Sequence, residues 1–196
     1  IPGARGECTA NWVDSFGNFW MFGGYGYDGF GNFNTLNDLW RYNPATDEWT
    51  WIGGSNIGGD PGNYGTKGIP STANIPPARF SYTSWKDSNG NFWLWGDGAS
   101  DLWKYNPLTN EWTWVNGPQG WSAGNYGVKC QESPTNLPPS RTETRARWMD
   151  DCDNFWFFGG GSYNDLWMYD VSSDMWKWVS GDNITGQPDV YGILGV

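Results

Sequence analysis

The sequence predicts an all-β fold: three four-stranded antiparallel blades that belong to, or assemble into, a β-propeller or a larger array. Three observations predict it. One aromatic phrase is written three times, as NDLWRYNPATDEWTW from Asn37, SDLWKYNPLTNEWTW from Ser100 and NDLWMYDVSSDMWKW from Asn164. Each copy follows an aromatic run, FWMFGG, FWLWGD or FWFFGG, which itself follows a turn rich in Asp, Asn and Gly. No segment carries a sustained helical period of apolar residues.

Within each unit the elements fall in a fixed order. The segments ARGECTANW, ARFSYTSW and SRTETRARW supply a first strand, and DSFGN, DSNGN and DDCDN the turn after it. These turns start at Asp14, Asp87 and Asp150 and use Asn and Gly where positive φ is needed. They resemble calcium loops in composition, but position 12 counted from Asp87 is Gly98, where such a loop needs a glutamate. No metal site is expected. The aromatic run is the second strand and the DLW segment, with its tyrosine, the third. A turn with Pro44 or Pro107 presets a reversal, and the tryptophan strand closes the blade. Residues 1–75 hold blade 1 and its connector, 76–138 blade 2 and its connector, and 139–196 blade 3 and a partial connector.

Composition excludes several function classes. The chain has 196 residues with 17 tryptophans and 29 glycines, far too aromatic for disorder. Its formal charge of −10 disfavours nucleic acid and anionic membrane surfaces as partners. The longest apolar runs, such as FWMF, hold four residues, against about 20 for a membrane helix, so no membrane insertion is expected. IPGARGEC lacks the basic start and apolar stretch of a signal peptide, which suggests a mature or excised piece. The chain has no histidine, which removes the commonest metal ligand and general base. Cys8, Cys130 and Cys152 lack zinc-type spacing. Cys130 and Cys152 belong to opposite ends of a first strand, about 26 Å apart at 3.3 Å per residue, which argues against that pair and leaves Cys8 with Cys130 open.

The repeat resembles the Kelch family of β-propellers. Its marks are a glycine pair ending the second strand, then a tyrosine, then a tryptophan. Gly23-Gly24, Tyr42 and Trp49 match, as do Tyr105 with Trp112, and Gly159-Gly160, Tyr169 and Trp176. Blade 2 departs, with Asp97 after Gly96. The units are longer than the family's usual size of about 50 residues: Arg5 to Arg79 spans 74 positions and Arg79 to Arg141 spans 62. In this they are similar to long-repeat Kelch proteins that are secreted or attached to microbial surfaces, so the resemblance implies an extracellular or cell-surface location. It extends to the galactose oxidase central-domain class, whose copper chemistry needs histidines that this chain lacks. The expectation is a noncatalytic scaffold without cofactors, acting by protein–protein binding or self-assembly. Its partners would be other copies or further blades of a longer chain. The alternative is a secreted carbohydrate-binding or carbohydrate-active protein.

Sixteen of the tryptophans recur at equivalent strand positions or align with a phenylalanine, so they are expected to pack between blades. Each buried aromatic hides about 150–250 Å². Trp121, in a connector, has no counterpart. Arg5, Arg79 and Arg141 open every blade. They form either a ring of cations or interblade bonds to carbonyls or to Asp38, Asp101 and Asp165. Arg145 and Arg147 are peculiar to blade 3 and are expected on one strand face, paired with acids. Antiparallel geometry puts the loops after second and fourth strands on one side. Blade 1 has a long insertion there, Tyr25 to Asn37, so Tyr25, Tyr27, Phe30, Phe33, Tyr64, Trp121 and Tyr126 are the candidate contacts for a partner or glycan. Tyr64 and Tyr126 recur as Tyr191, which equally suits connector anchors. Asn183-Ile184-Thr185 is an N-glycosylation acceptor pattern, conditional on eukaryotic secretion. Three blades leave two aromatic flanks exposed, since propellers close with four to eight. Another copy or further blades are expected to cover them, in a six-bladed ring or a fibre.

Overall fold

A computed structural model describes residues 1–6, 10–80 and 82–194. Among them there is no helix, and hence none long and apolar enough to cross a membrane. The first sheet holds β1 (Arg5–Gly6), β2 (Ala10–Val13), β3 (Phe19–Tyr27), β4 (Phe33–Asn43) and β5 (Glu48–Gly53). The second runs β6 (Tyr82–Lys86), β7 (Phe92–Gly96), β8 (Leu102–Asn106) and β9 (Glu111–Asn116). The third holds β10 (Glu132–Ser133), β11 (Ala146–Met149), β12 (Phe155–Gly160), β13 (Tyr163–Asp170) and β14 (Met175–Ser180). All pairings between these strands are antiparallel, and the sheets form an open β-propeller-like stack.

The turns after β2, β6 and β11 are built alike. The Asp14 carboxylate accepts from the Phe16 and Asn18 backbone N–H groups, each at 2.9 Å, and from the Trp20 indole at 2.8 Å. Asp87 binds the Trp93 indole at 2.8 Å and Asp150 the Trp156 indole at 2.9 Å. One carboxylate thus shapes the turn and aims the first tryptophan of the next strand. In blades 1 and 3 the second strand carries a bulge at Gly23 (φ 60°) or Gly159 (φ 65°). A Cβ at Gly23 would lie 2.7 Å from the Leu36 carbonyl oxygen, so backbone approach as well as φ demands glycine.

Each sheet presents two aromatic faces. Trp12, Trp20, Phe22 and Leu39 of blade 1 pack on Tyr82, Phe92, Tyr105 and Trp112 of blade 2. One register up, Trp85, Trp93, Trp95 and Leu102 pack on Phe155, Phe157, Tyr169 and Trp176 of blade 3. The contacts repeat in geometry: Trp12 stacks on Phe92 at 4.9 Å and 6°, and Trp85 on Phe155 at 5.0 Å and 11°. The expectation that tryptophans pack between blades therefore describes most of them. Trp148 is the correction. Its equivalents Trp12 and Trp85 are buried, yet it is 56% exposed, because among the described residues no further sheet packs on the open face of β11.

The blade 1 insertion is the second correction. Tyr25 to Asn37 forms no loop. β3 and β4 run on past the bulge as a hairpin arm, pairing Tyr25 with Thr35 and Tyr27 with Phe33. The turn at its tip, DGFGN from Asp28, repeats DSFGN from Asp14 and uses the same Asp-to-backbone bonds.

Candidate functional site

The side chains of Arg5, Arg79 and Arg141 do not bridge blades, as one expectation had it. Each closes a pair within its own blade. Arg79 holds both Asp101 oxygens at 2.8 and 2.7 Å. Arg141 holds Asp165 in the same two-point manner and lies 4.0 Å over the Tyr163 ring. Arg5 holds Asp38 at 2.7 and 2.8 Å. The reason is local: the DLW strand lies two strands from the arginine in the same sheet, and the next blade's face is filled by aromatic rings. At the arginine position the contact between blades is made by backbone, with the Gly24 N–H donating to the Arg79 carbonyl at 3.0 Å and the Arg79 N–H to the Leu36 carbonyl at 3.0 Å. These cations are therefore spent on buried carboxylates and offer no ring of free charge. Arg145 pairs with Glu143 at 2.5 Å on the exposed surface.

Around each pair the blade builds a socket. In blade 2 the indole of Trp103 donates to Asp101 at 2.7 Å, and a tyrosine from the preceding connector plugs the remaining space. Tyr64 lies between Trp103 and Trp114 at 5.0 and 5.1 Å and donates its hydroxyl to Asp101 at 2.6 Å. In blade 3, Tyr126 lies between Trp167 and Trp178 at 5.1 and 5.0 Å and donates to Asp165 at 2.6 Å. Burial and the adjoining carboxylates push both phenols well above their ordinary range. Burial raises the Asp101 carboxyl, but the Arg79 guanidinium and the Tyr64 and Trp103 donors outweigh it, so it titrates below the usual range. Sequence reading missed this Asp–Trp–Tyr unit. The signal was present in the fixed order of connector tyrosine, DLW and outer tryptophan.

The connectors also close the sheet edges. The Gly68 N–H donates to the Trp114 carbonyl and the Cys130 N–H to the Trp178 carbonyl, each at 2.8 Å. The Asn74 side chain caps the Trp112 carbonyl at 2.9 Å and Asn136 the Trp176 carbonyl at 3.0 Å. Cys130 and Cys152 are exposed, free thiols, and Cys8 lies outside the described residues.

The other candidate contacts separate into two groups. Tyr25, Tyr27 and Phe33 form an aromatic ridge on the arm, with ring centroids 4.7 and 5.0 Å apart. Phe30 is 69% exposed at the tip. Connector 1 braces the arm, with the Gly29 N–H donating to the Asn56 carbonyl at 2.8 Å and the Gly58 N–H to Asp28 at 3.1 Å. Slight desolvation raises Asp28, and the Asn32, Gly58 and Phe30 donors overcome it, lowering the carboxyl to about 2. Trp121 stands apart in connector 2, 74% exposed. Asn183 is exposed in the segment after β14.

Two surfaces have no partner of the kind found inside the stack. On blade 3, Trp148, Met149, Trp156, Phe158 and Leu166 line an open hollow of about 440 Å³. On blade 1, Asp38, Trp40 and Trp51 line a cavity of about 380 Å³ beside Arg5 and Tyr27. Asp38 keeps its bond from Trp40 at 2.6 Å, but among the described residues no tyrosine reaches it. No group of His, Cys, Asp and Glu among the described residues is placed to hold a metal ion.

No family model matches the chain, and no curated protein does. The chain is similar in fold to the solved structure of YjhT, a β-propeller-like protein, at a TM-score of 0.57 and 14% identity. The match covers 91% of this chain and 53% of that one, so this chain spans about half the length of its structural neighbour.

Proposed function

We propose that the chain is a Kelch-type scaffold of the cell surface or extracellular space, which binds other proteins or copies of itself and carries out no catalysis. One observation carries this reading. The two ends of the stack expose aromatic faces whose repeat equivalents are buried between blades, and soluble monomers rarely leave such patches open. The Kelch assignment is supported by the bulged glycines at Gly23 and Gly159 and by the tyrosine–tryptophan pairs Tyr42–Trp49, Tyr105–Trp112 and Tyr169–Trp176, at 5.1, 4.9 and 4.9 Å. The surface location rests on the long connectors, like those of secreted long-repeat relatives. Light scattering with electron microscopy on one sample tests the reading: assemblies of two or more copies are expected, and a strict 22.1 kDa monomer would overturn it.

A second reading is favoured by Trp121 alone. An indole 74% exposed on a braced loop suits stacking against a sugar ring. A saccharide titration in which Trp121→Ala abolishes binding would establish it.

A further inference from the structure

Each connector fits the blade that follows it, and the fit recurs in detail. The tyrosine ring meets the inner tryptophan at 46° in blade 2 and 50° in blade 3, and the outer one at 80° and 82°. Three residues after the tyrosine, Lys67 or Lys129 covers the outer indole at 5.3 or 4.5 Å. Residues 183–194 follow blade 3 as the connectors follow blades 1 and 2. DVYGIL there aligns with NYGTK-type sequence in both connectors, placing Tyr191 at the plug position and Leu194 at that of the lysine. Among the described residues this plug meets no socket: Tyr191 is 87% exposed and donates to Asp189, at 3.1 Å, two residues away. At the opposite end of the stack, Asp38, Trp40 and Trp51 form a socket with no plug.

We propose that Tyr191 of one copy enters the Asp38–Trp40–Trp51 socket of a second copy, while Trp148, Trp156 and Phe158 seat on that copy's Phe19, Tyr42 and Trp49. The inference rests on the self-assembly reading above and names its joint. Both surfaces continue an interface the molecule already makes twice. Trp148 follows Trp12 and Trp85 in the series, and Phe19 precedes Phe92 and Phe155, so the next member is Trp148 stacked on Phe19. The Tyr191 hydroxyl donates to Asp38 as Tyr64 does to Asp101, and Leu194 covers Trp51, which is 49% exposed. Two such joints close a ring of two copies, each supplying three blades. A six-bladed ring falls within the range in which propellers close.

Sedimentation equilibrium of the 196-residue chain and its variants is the test. Wild type is expected to form a two-copy particle. Tyr191→Phe should weaken it at least about a hundredfold, since each of the two joints loses a hydrogen bond to a charged acceptor worth about tenfold or more, and Tyr191→Ala should weaken it further, as for a plugged hot spot lost twice. Trp148→Arg should leave a folded monomer. A photo-reactive residue at position 191 should cross-link to the Asp38–Trp51 stretch of the other copy. A dimer indifferent to Tyr191→Ala, or cross-linked elsewhere, overturns this joint and leaves the assembly reading standing. A monomer at every concentration overturns both, and open polymers overturn the two-copy ring.

Discussion

Asp101 of blade 2 is fully buried and receives Arg79, Trp103 and Tyr64. Asp38 of blade 1 is 8% exposed and receives Arg5 and Trp40. The residues that make the two sockets are the same, so their own sequence does not decide the difference. Position in the stack does: blade 2 has a connector laid across its outer edge and a blade on either face, and blade 1 has neither on one side. A repeat protein's stability is largely a sum of units and nearest-neighbour contacts, so the terminal blades should respond to mutation unlike the middle one.

The largest contrast is expected in the aromatic faces. Phe155→Ala should cost about 3–5 kcal/mol by chemical denaturation, since the ring is fully buried between two blades. Phe19→Ala should cost about 1 kcal/mol or less in the isolated chain, where the equivalent ring is 48% exposed. Comparable losses at the two sites would break the comparison. In the sockets, Asp101→Asn should cost about 3–5 kcal/mol, because it strands the buried Arg79. Asp38→Asn should cost less, because its partner Arg5 lies nearer solvent. Tyr64→Phe comes next, at about 1.5–3 kcal/mol for one hydroxyl lost from a charged acceptor, against no change in monomer stability for Tyr191→Phe.

A further contrast is one of pH. Blade 2 departs from the glycine pair at Asp97, which sits at φ 70°. Burial pushes its carboxyl up to about 6, against the Phe80 N–H and the Arg79 charge, which lower it. The folded state therefore holds a proton that the unfolded chain has released. Asp97's contribution is fully present below the unfolded value of 3.8 and is lost as pH rises through about 6. Difference melts should show Asp97→Asn gaining on wild type over that window and not below it. A flat difference would mean the carboxyl is solvated.

Much of the fold was legible because it is periodic. Strand alternation, turn residues and the thrice-written DLW phrase agree with one another, and such agreement marks a foldable pattern. The arm was misread as a loop because its strands hold Gly and Asn, which weaken a strand signal. Yet DGFGN repeats the Asp14 turn and marked its tip. The Arg–Asp pairs were visible only as one of several options, since spacing does not say whether a partner lies in the same sheet or the next. Exposure at Trp148 does not follow from its equivalents Trp12 and Trp85, which have other neighbours, but from the count of blades, which already left two aromatic flanks open.

The connectors carry one more consequence, in time rather than in space. A chain is made from its N-terminus and its units fold as they emerge. Residues 62–75 are made before β9, and residues 124–137 before β14, so each outer edge strand appears after the segment that will cover it. An uncovered edge strand is where chains stick to one another, and in blades 2 and 3 that hazard is short-lived. The edge at β5 has no such precursor among the described residues.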